Sequence, residues 1–437
     1  MEVHRFYLAC LAHASYLIES GGEAAVVDPQ RDIDLYLQAA QERGLRIRWV
    51  IETHLHADFV SGHLELAERS GATICLGAGS GATFPHRDLA DGDIVRVGDE
   101  QLRILSTPGH TLESICIAAG DSSLVFTGDT LFIGDVGRPD LSATHTPQQL
   151  AGLLYDSIHE KLLTLPDTAV IYPAHGAGSL CGRQMSAEAT STIGRERTGN
   201  YALQAKSREA FIELLTSDLP ARPAYFADEV ERNRRGAAAL DESKPLRALS
   251  PGQTGDAILL DTRPAMEFAS AHVPGSINVG LGGQFASWAA RLLGLDAHVV
   301  IIAEGEKAAN EARMRLARVG IENVEGYLKD GISGWKPLEP MMQIPVSDLA
   351  DARGTVLDVR EPSERGEGFI EGSLNIPLGQ LTARLNELPK SGMIFVHCKG
   401  GYRSSAAVSL LAHRGFTNVA NVIGGYDAWK TAHAAHS

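Results

Sequence analysis

Cysteine is scarce in this chain. Its 437 residues hold five, Cys10, Cys75, Cys116, Cys181 and Cys398. The number is odd and the spacing wide, which argues against a disulfide framework and for the reducing cytoplasm. Basic charge is short as well. Lys and Arg total 39 against 54 Asp and Glu, a formal net charge of -15, and no stretch is dominated by Lys and Arg. Neither a nucleic acid nor an anionic membrane surface is therefore expected as a partner. No segment approaches the ~20 apolar residues needed to span a bilayer. MEVHRFYLACLAHASYLIES (1–20) lacks a basic start followed by an unbroken apolar run, so no signal peptide is expected. Hydrophobic residues still make up 44% of the chain. That is enough for several cores, and at ~150 residues per domain the length predicts about three domains.

Over the first two hundred residues, short apolar strands alternate with loops and helices. Strands are predicted at 24–29, 47–54, 72–77, 102–110, 114–120, 123–129 and 169–175, and several end directly in His or Asp. Helical spacing appears at 35–44, 62–71 and 146–165. Two or more sheets with helices outside suit this order. Residues 206–245 are charged and expected to be helical, and RNRRGAAALDESKP (232–245) reads as a linker. The remainder is an internal repeat. ILLDTRPAMEFASAHVPGSINV (258–279) matches TVLDVREPSERGEGFIEGSLNIPL (355–378), with Asp261 and Asp358, and Asn278 and Asn375, each 97 residues apart. So long a period means tandem domains, each a parallel α/β unit.

One set of residues carries metal chemistry. His54, His56 and Asp58 share the loop after a predicted strand, and His110, Asp129 and His175 follow in STPGHT, FTGDTLF and YPAHGAG. Any one of these histidines alone is more often an ordinary residue with a satisfied hydrogen bond. Ligand types gathered repeatedly at strand ends, several beside Gly, point to one site on a sheet rim. The pattern resembles the metallo-β-lactamase superfamily over about residues 1–205, whose signature is His-x-His-x-Asp-His followed by distant His, Asp and His. The resemblance implies an αββα sandwich. This chain has Phe59 where the signature has its last His. A binuclear zinc site of the glyoxalase II kind needs that ligand.

Resemblance to the persulfide dioxygenase branch implies a mononuclear site, with one Fe(II) per chain held by His54, His110 and Asp129. Two imidazoles and a carboxylate on one face of the metal leave positions open for O2 and a substrate sulfur. His56, Asp58 and His175 then stand behind the ligands and orient them. For Asp58 and His175, a direct catalytic role and simple hydrogen bonding in the rim are both open. Arg138, in GDVGRPD (134–140), either pairs with a carboxylate of the thiol carrier or is an ordinary surface residue. Cys181, in PAHGAGSLCGR (173–183), either accepts sulfur near the metal or is a small buried residue. The Tyr of glutathione-type members is absent from that stretch, which counts against glutathione and for coenzyme A or another small thiol, and the choice of carrier among these stays open. Cys10, Cys75 and Cys116 are expected in the core.

IFVHCKGGYRSSAAVSLLAHRGF (394–416) reads as strand, loop and helix, with Cys398 at the strand end and the helix starting near Arg403 or Ser404. Loop amides and a helix N-terminus favour a thiolate or a bound anion there. Gly400 and Gly401 let the loop curl, Lys399 and Tyr402 complete the substrate-facing loop, and Arg403 braces it or meets an anionic substrate. With VLDVRE (356–361) and GGYDAW (424–429), residues 341–437 resemble single-domain rhodaneses. The Cys-x4-Arg length favours a persulfide over a phosphoenzyme. In the first repeat, counting back from Gly320 as from Gly415, the nucleophile position falls on Ala303, so that repeat cannot transfer sulfur through a thiol.

The expected organisation is a metal domain with a helical linker over 1–245, a Cys-less rhodanese-like domain over 246–340 and an active rhodanese domain over 341–437. The two rhodanese-like domains are expected to have parallel sheets. The expected function is oxidation of a small thiol persulfide with O2 to sulfite and thiol, coupled to sulfur transfer through Cys398, forming or consuming thiosulfate in a cytoplasmic homo-oligomer. A zinc hydrolase of the glyoxalase II type with a sulfurtransferase tail, and a non-oxidative sulfur relay, are the alternatives.

Overall fold

The period-2 apolar segments of the first half become two six-stranded sheets in the computed structural model, which describes residues 1–219, 221–240 and 244–434. The first sheet runs in chain order: β1 (Glu2–Leu8), β2 (His13–Ser20), β3 (Glu23–Val27), β4 (Arg46–Ile51), β5 (Thr73–Gly77) and β6 (Arg87–Leu89). Its first three strands are antiparallel, and β3 to β6 pair in parallel. The second sheet holds β7 (Ile94–Val97), β8 (Glu100–Ser106), β9 (Ile115–Ala119), β10 (Leu124–Gly128), β11 (Val170–Pro173) and β12 (Ser191–Thr192). It is antiparallel except for β10 beside β11.

Alternation decides which side chains meet. Tyr16, Ile18, Val27 and Ile51 of one sheet pack against Leu102, Ile104, Ile117 and Phe126 of the other. The opposite face of the first sheet, with Val26 and Val50, takes Tyr36 and Leu66 from the helices Asp34–Arg43 and His63–Ser70. The outer face of the second sheet, with Val125 and Ile171, takes Leu150's neighbours Ala151 and Leu154 from the helix Pro147–Ser157, and Phe211 from Arg208–Thr216. The result is the expected αββα sandwich. Each large apolar side chain removed from water in these layers contributes about 1.5–3 kcal/mol.

Sequence periodicity missed β1, β2, β6 and β7. For β2 the reason is burial on both faces: His13 to Leu17 and Ile18 are all buried, which erases the polar half of the alternation. The first residues of the expected linker, Arg232 to Arg235, are instead the last turn of the helix Phe226–Arg235. Residues 241–243 of that linker lie outside the described residues.

The chain divides into two compact units, Met1–Asp241 with Arg318–Gly320, and Glu242–Ala317 with Ile321–Ser437. The second unit carries the duplication down to single bonds. One sheet orders its strands Ala248–Leu249, Val324–Leu328, Val299–Ile302, Ile258–Asp261, Ile277–Asn278, and the other Gln343–Ile344, Val419–Val422, Met393–His397, Gly354–Asp358, Leu374–Asn375. Every strand pair in both is parallel. Asp261 accepts from Arg263 as Asp358 accepts from Arg360. Asn278 donates to the carbonyls of Asp261 and Arg263 as Asn375 donates to those of Asp358 and Arg360. Among the described residues, no helix is long and apolar enough to cross a membrane.

Candidate active sites

Strand direction brings the metal-ligand types together. β3 and β4 are parallel, so Asp28 and the loop carrying His54, His56 and Asp58 leave the first sheet at one rim. β8, β10 and β11 run the same way in the second sheet, and their C-terminal ends deliver His110, Asp129 and His175. Gly128 allows the approach. It has φ 50°, and a Cβ there would lie 2.5 Å from Thr53 Oγ1, so only glycine suits the position.

His54, His110 and Asp129 are buried, and one ligand atom from each lies within 4.8 Å of the other two. His54 Nε2 is 3.7 Å and His110 Nε2 3.4 Å from Asp129 Oδ2. The outer nitrogens settle the tautomers. His110 Nδ1 donates to the Arg138 carbonyl at 3.0 Å. Thr53 Oγ1 donates to Asp28 Oδ2 at 2.9 Å and so accepts from His54 Nδ1 at 3.0 Å. Both Nε2 lone pairs therefore face Asp129. These Nε2 atoms and Asp129 Oδ2 have no hydrogen-bond partner among the described residues. Burial, with the charge of His56, holds His54 well below its ordinary pKa, and burial lowers His110. Burial pushes the Asp129 carboxyl up, but the imidazoles of His175 and His54 outweigh it and keep it ionised. Neutral imidazoles, an ionised carboxylate and three convergent unpaired atoms fit a cation.

The other expected residues take places around this centre. His175 Nδ1 is 2.7 Å from Asp129 Oδ1, and its Nε2 is 3.1 Å from Asp58 Oδ2. His56 Nε2 turns to Asp28 Oδ1 at 3.3 Å and Glu52 Oε2 at 3.5 Å. Burial disfavours its charge, yet these two carboxylates raise its pKa to about 10. Phe59 is fully buried, its ring centroid 4.2 Å from that of His13 and 4.4 Å from that of His56. His13, His56 and His175 form a second group of ligand atoms within 4.8 Å of one another. Cys181 is buried beside Asp58 and His175, and burial and the nearby carboxylates of Asp58 and Asp129 keep its thiol protonated. Arg138 is not an ordinary surface residue. It is buried, with Nε and Nη2 on Asp140 at 2.6 and 2.8 Å and Nη1 on the Leu180 carbonyl, so a substrate carboxylate would compete with Asp140. Cys75 and Cys116 are core as expected, whereas Cys10 sits half-buried in the turn after β1.

Three contributors escaped sequence reasoning. Asp28, at φ 51°, accepts from both the amide and hydroxyl of Thr53 and thereby sets His54. His13 bonds the Asp28 carbonyl through Nε2 at 2.9 Å. Asn233 is buried and donates to the carbonyls of His56 and Phe59 at 2.8 Å, and accepts from the Ser61 amide at 2.9 Å. Its only sequence signal was a polar residue inside a charged helix.

In the second unit the strand Met393–His397 ends at Cys398, which is 1% exposed. The helix Tyr402–His413 begins one residue earlier than expected, after Gly401 at φ 112°. The Gly401 amide points at Cys398 Sγ at 3.1 Å, and Ser404 Oγ lies 3.5 Å away. Arg403 forms a bidentate pair with Glu364 at 2.5 and 2.7 Å and also lines the pocket over Cys398, so its position serves both expected roles, bracing and meeting an anion. GGYDAW supports the loop from behind. The Tyr426 amide donates to the Cys398 carbonyl at 2.8 Å, and a Cβ on Gly425 would lie 2.5 Å from that oxygen. Strand register fixes the equivalent position of the first repeat. Asp261 pairs with Ile302 as Asp358 pairs with His397, so Ala303 stands where Cys398 does.

Comparison with known proteins agrees with this geometry. The metallo-beta-lactamase superfamily model matches residues 8–175, and the rhodanese-like domain model matches 245–337 and 346–432. The persulfide dioxygenase ETHE1, mitochondrial, of Homo sapiens is 34% identical over 220 residues, covering 49% of this chain and 79% of that protein. A hydroxyacylglutathione hydrolase of Acidiphilium cryptum (strain JF-5) is 32% identical over 237 residues, covering 54% and 90%. The crystal structure of a metallo-beta-lactamase from Staphylococcus aureus subsp. aureus COL superimposes with a TM-score of 0.69 at 32% identity, covering 75% of this chain and 98% of that one.

Proposed function

The chain belongs to the metallo-beta-lactamase superfamily, with rhodanese-like domains following, and from that premise we propose that it oxidises a small thiol persulfide to sulfite at a mononuclear Fe(II) site and carries sulfane sulfur on Cys398. His54, His110 and Asp129 would hold the iron, which when bound supplies the activation of O2 that organic residues lack. The balance is one persulfide, one O2 and one water giving the thiol, sulfite and two protons. The observation that carries this reading is the convergence of His54 Nε2, His110 Nε2 and Asp129 Oδ2, all buried and unpaired among the described residues. Phe59 in the fourth-ligand position supports a single metal.

The protein's own groups divide the remaining work. The Thr53–Asp28 pair and the Arg138 carbonyl hold the His54 and His110 rings in their ligand tautomers. His175 shares its protons between Asp129 and Asp58 and keeps the carboxylate oriented. At the other site, the thiolate of Cys398 attacks the outer sulfur of a persulfide, the S–S bond breaks, and the thiol leaves. Sulfite attack on the resulting Cys398 persulfide gives thiosulfate and regenerates the thiolate. Fusion of the two sites raises the local concentration of the shared intermediates. The carrier is glutathione, coenzyme A or a similar thiol.

The test is O2 consumption with glutathione persulfide after anaerobic Fe(II) loading. Uptake with sulfite release, abolished in Asp129→Ala with Cys398 intact, is expected. Absence of uptake together with zinc-dependent hydrolysis of a glutathione thioester would overturn the reading. That second, hydrolytic reading draws on the likeness to hydroxyacylglutathione hydrolases and on the neighbouring His13, His56 and His175. Metal stoichiometry separates them: about one iron per chain for the first, about two zinc ions for the second.

A further inference from the structure

The Cys-less repeat has lost its nucleophile but has gained an element its partner lacks. Residues Phe285–Leu293 form a full helix, FASWAARLL, whereas the equivalent segment 97 residues later is the short 3-10 stretch Thr382–Glu387. That extra helix faces the nucleophile of the other repeat. A pocket of about 460 Å³ opens over Cys398, and Gly283, Gln284 and Trp288 of the Cys-less repeat line it together with Lys399, Tyr402, Arg403 and Asp427. The wall is fixed in place. Tyr402 Oη donates to the Gly280 carbonyl at 2.8 Å, Ser405 Oγ bonds Asn278 Oδ1 at 2.7 Å, and Ser409 Oγ accepts from the Asn278 amide at 2.9 Å. Arg291 covers Trp288 at 4.6 Å from the ring centroid and reaches Glu361 at 3.5 Å.

Volume and lining together name the ligand class. Thiosulfate has five heavy atoms and fills no more than a few water volumes of ~30 Å³ each. A pocket of about 460 Å³ lies instead in the ~300–1,000 Å³ range of sites that enclose organic ligands. The edge of the Trp288 indole, which is 7% exposed, a side-chain amide, and two cations, Lys399 and Arg403, against one carboxylate, Asp427, suit a body that is part apolar, part amide and anionic at one end.

We propose that the Cys-less repeat is the recognition half of the sulfurtransferase site. Trp288 and Gln284 bind the organic body of an anionic thiol persulfide, Lys399 meets its negative group, and Cys398 receives its outer sulfur. The proposal rests on the reading of Cys398 as a sulfur carrier. Sulfur–sulfur bond formation at Cys398 is matched by cleavage of the donor's S–S bond, the donor thiolate leaves with the electron pair, and no external oxidant or reductant is needed.

Rapid-quench mass spectrometry of the full chain, following Cys398 persulfide formation from glutathione persulfide or from thiosulfate, tests this. Trp288→Ala should lower kcat/KM for glutathione persulfide by about tenfold, through KM, and for thiosulfate by less than about threefold. Trp288→Phe should restore most of the loss. Gln284→Ala should discriminate between the donors in the same sense, and it carries the test if Trp288→Ala does not fold. Equal losses with both donors, or no loss with either, would overturn the proposal while leaving Cys398 as the carrier. A parent chain in which neither donor modifies Cys398 would instead remove the sulfur-carrier reading and this proposal with it.

Discussion

Replacing Asn233 by Ala removes three hydrogen bonds from the loop that presents the metal-ligand types. Its amide nitrogen no longer satisfies the carbonyls of His56 and Phe59, and its oxygen no longer accepts from the Ser61 amide. Asn233 is 1% exposed, so little water replaces it. Each buried polar group left unpaired costs about 1–3 kcal/mol. Partial relaxation of a shared loop makes the three less than additive, for a total of about 3–5 kcal/mol. The loss falls on residues 56–61 of the loop that also carries His54, so His54 should be mispositioned and metal affinity should drop by about 10–100-fold, as for other residues that orient ligands. Competition with a chelator measures the affinity, and hydrogen exchange across residues 53–66 measures the local opening. Affinity and exchange protection both within twofold of the parent would refute the reasoning, because Asn233 would then be a passenger.

Phe59→His should supply the further superfamily ligand, raising total bound metal from about one to about two ions per chain by elemental analysis. Glu364→Gln should expose a pH dependence. Partial burial raises the Glu364 carboxyl, but its bidentate pair with Arg403 outweighs that and holds it below the ordinary 4.5. A depressed carboxylate stabilises the fold above its unfolded pKa and loses that contribution as pH falls through the folded one. Calorimetry at pH 7 should therefore show the variant lower in Tm by about 2–4 °C, for about 1 kcal/mol, with the difference vanishing well below pH 4.5. Ala303→Cys should not create a second sulfur carrier. Position 303 is followed by the carboxylates of Glu304 and Glu306, and negative charge beside a thiol raises its pKa. Alkylation by iodoacetamide at neutral pH should be at least about tenfold slower there than at Cys398.

Most of the sandwich was legible because its strands pair in near chain order and bury one face against one neighbour. β2 was not, since both its faces are covered and its pattern carries no period. At the candidate metal site His54, His110 and Asp129 were legible as short motifs at strand ends. The groups behind them were not: Asp28 reads as the end of a strand, His13 as part of a buried segment, and Asn233 as one polar residue in a charged helix.

The amino-acid sequence alone determined the chemistry available: a two-imidazole, one-carboxylate set, a phenylalanine in place of a further ligand, one cysteine at a strand end in a short loop, and alanine at its duplicate. Such facts are local, written in a few consecutive residues or in a fixed repeat offset. Tertiary structure alone decided what those groups face. Asn233 reaches the carbonyl of His56 across 177 positions of chain, and Trp288 lines the pocket of Cys398 although it belongs to the repeat without a nucleophile. Contacts of that kind follow from which surfaces bury against one another, and periodicity along the chain carries no trace of them.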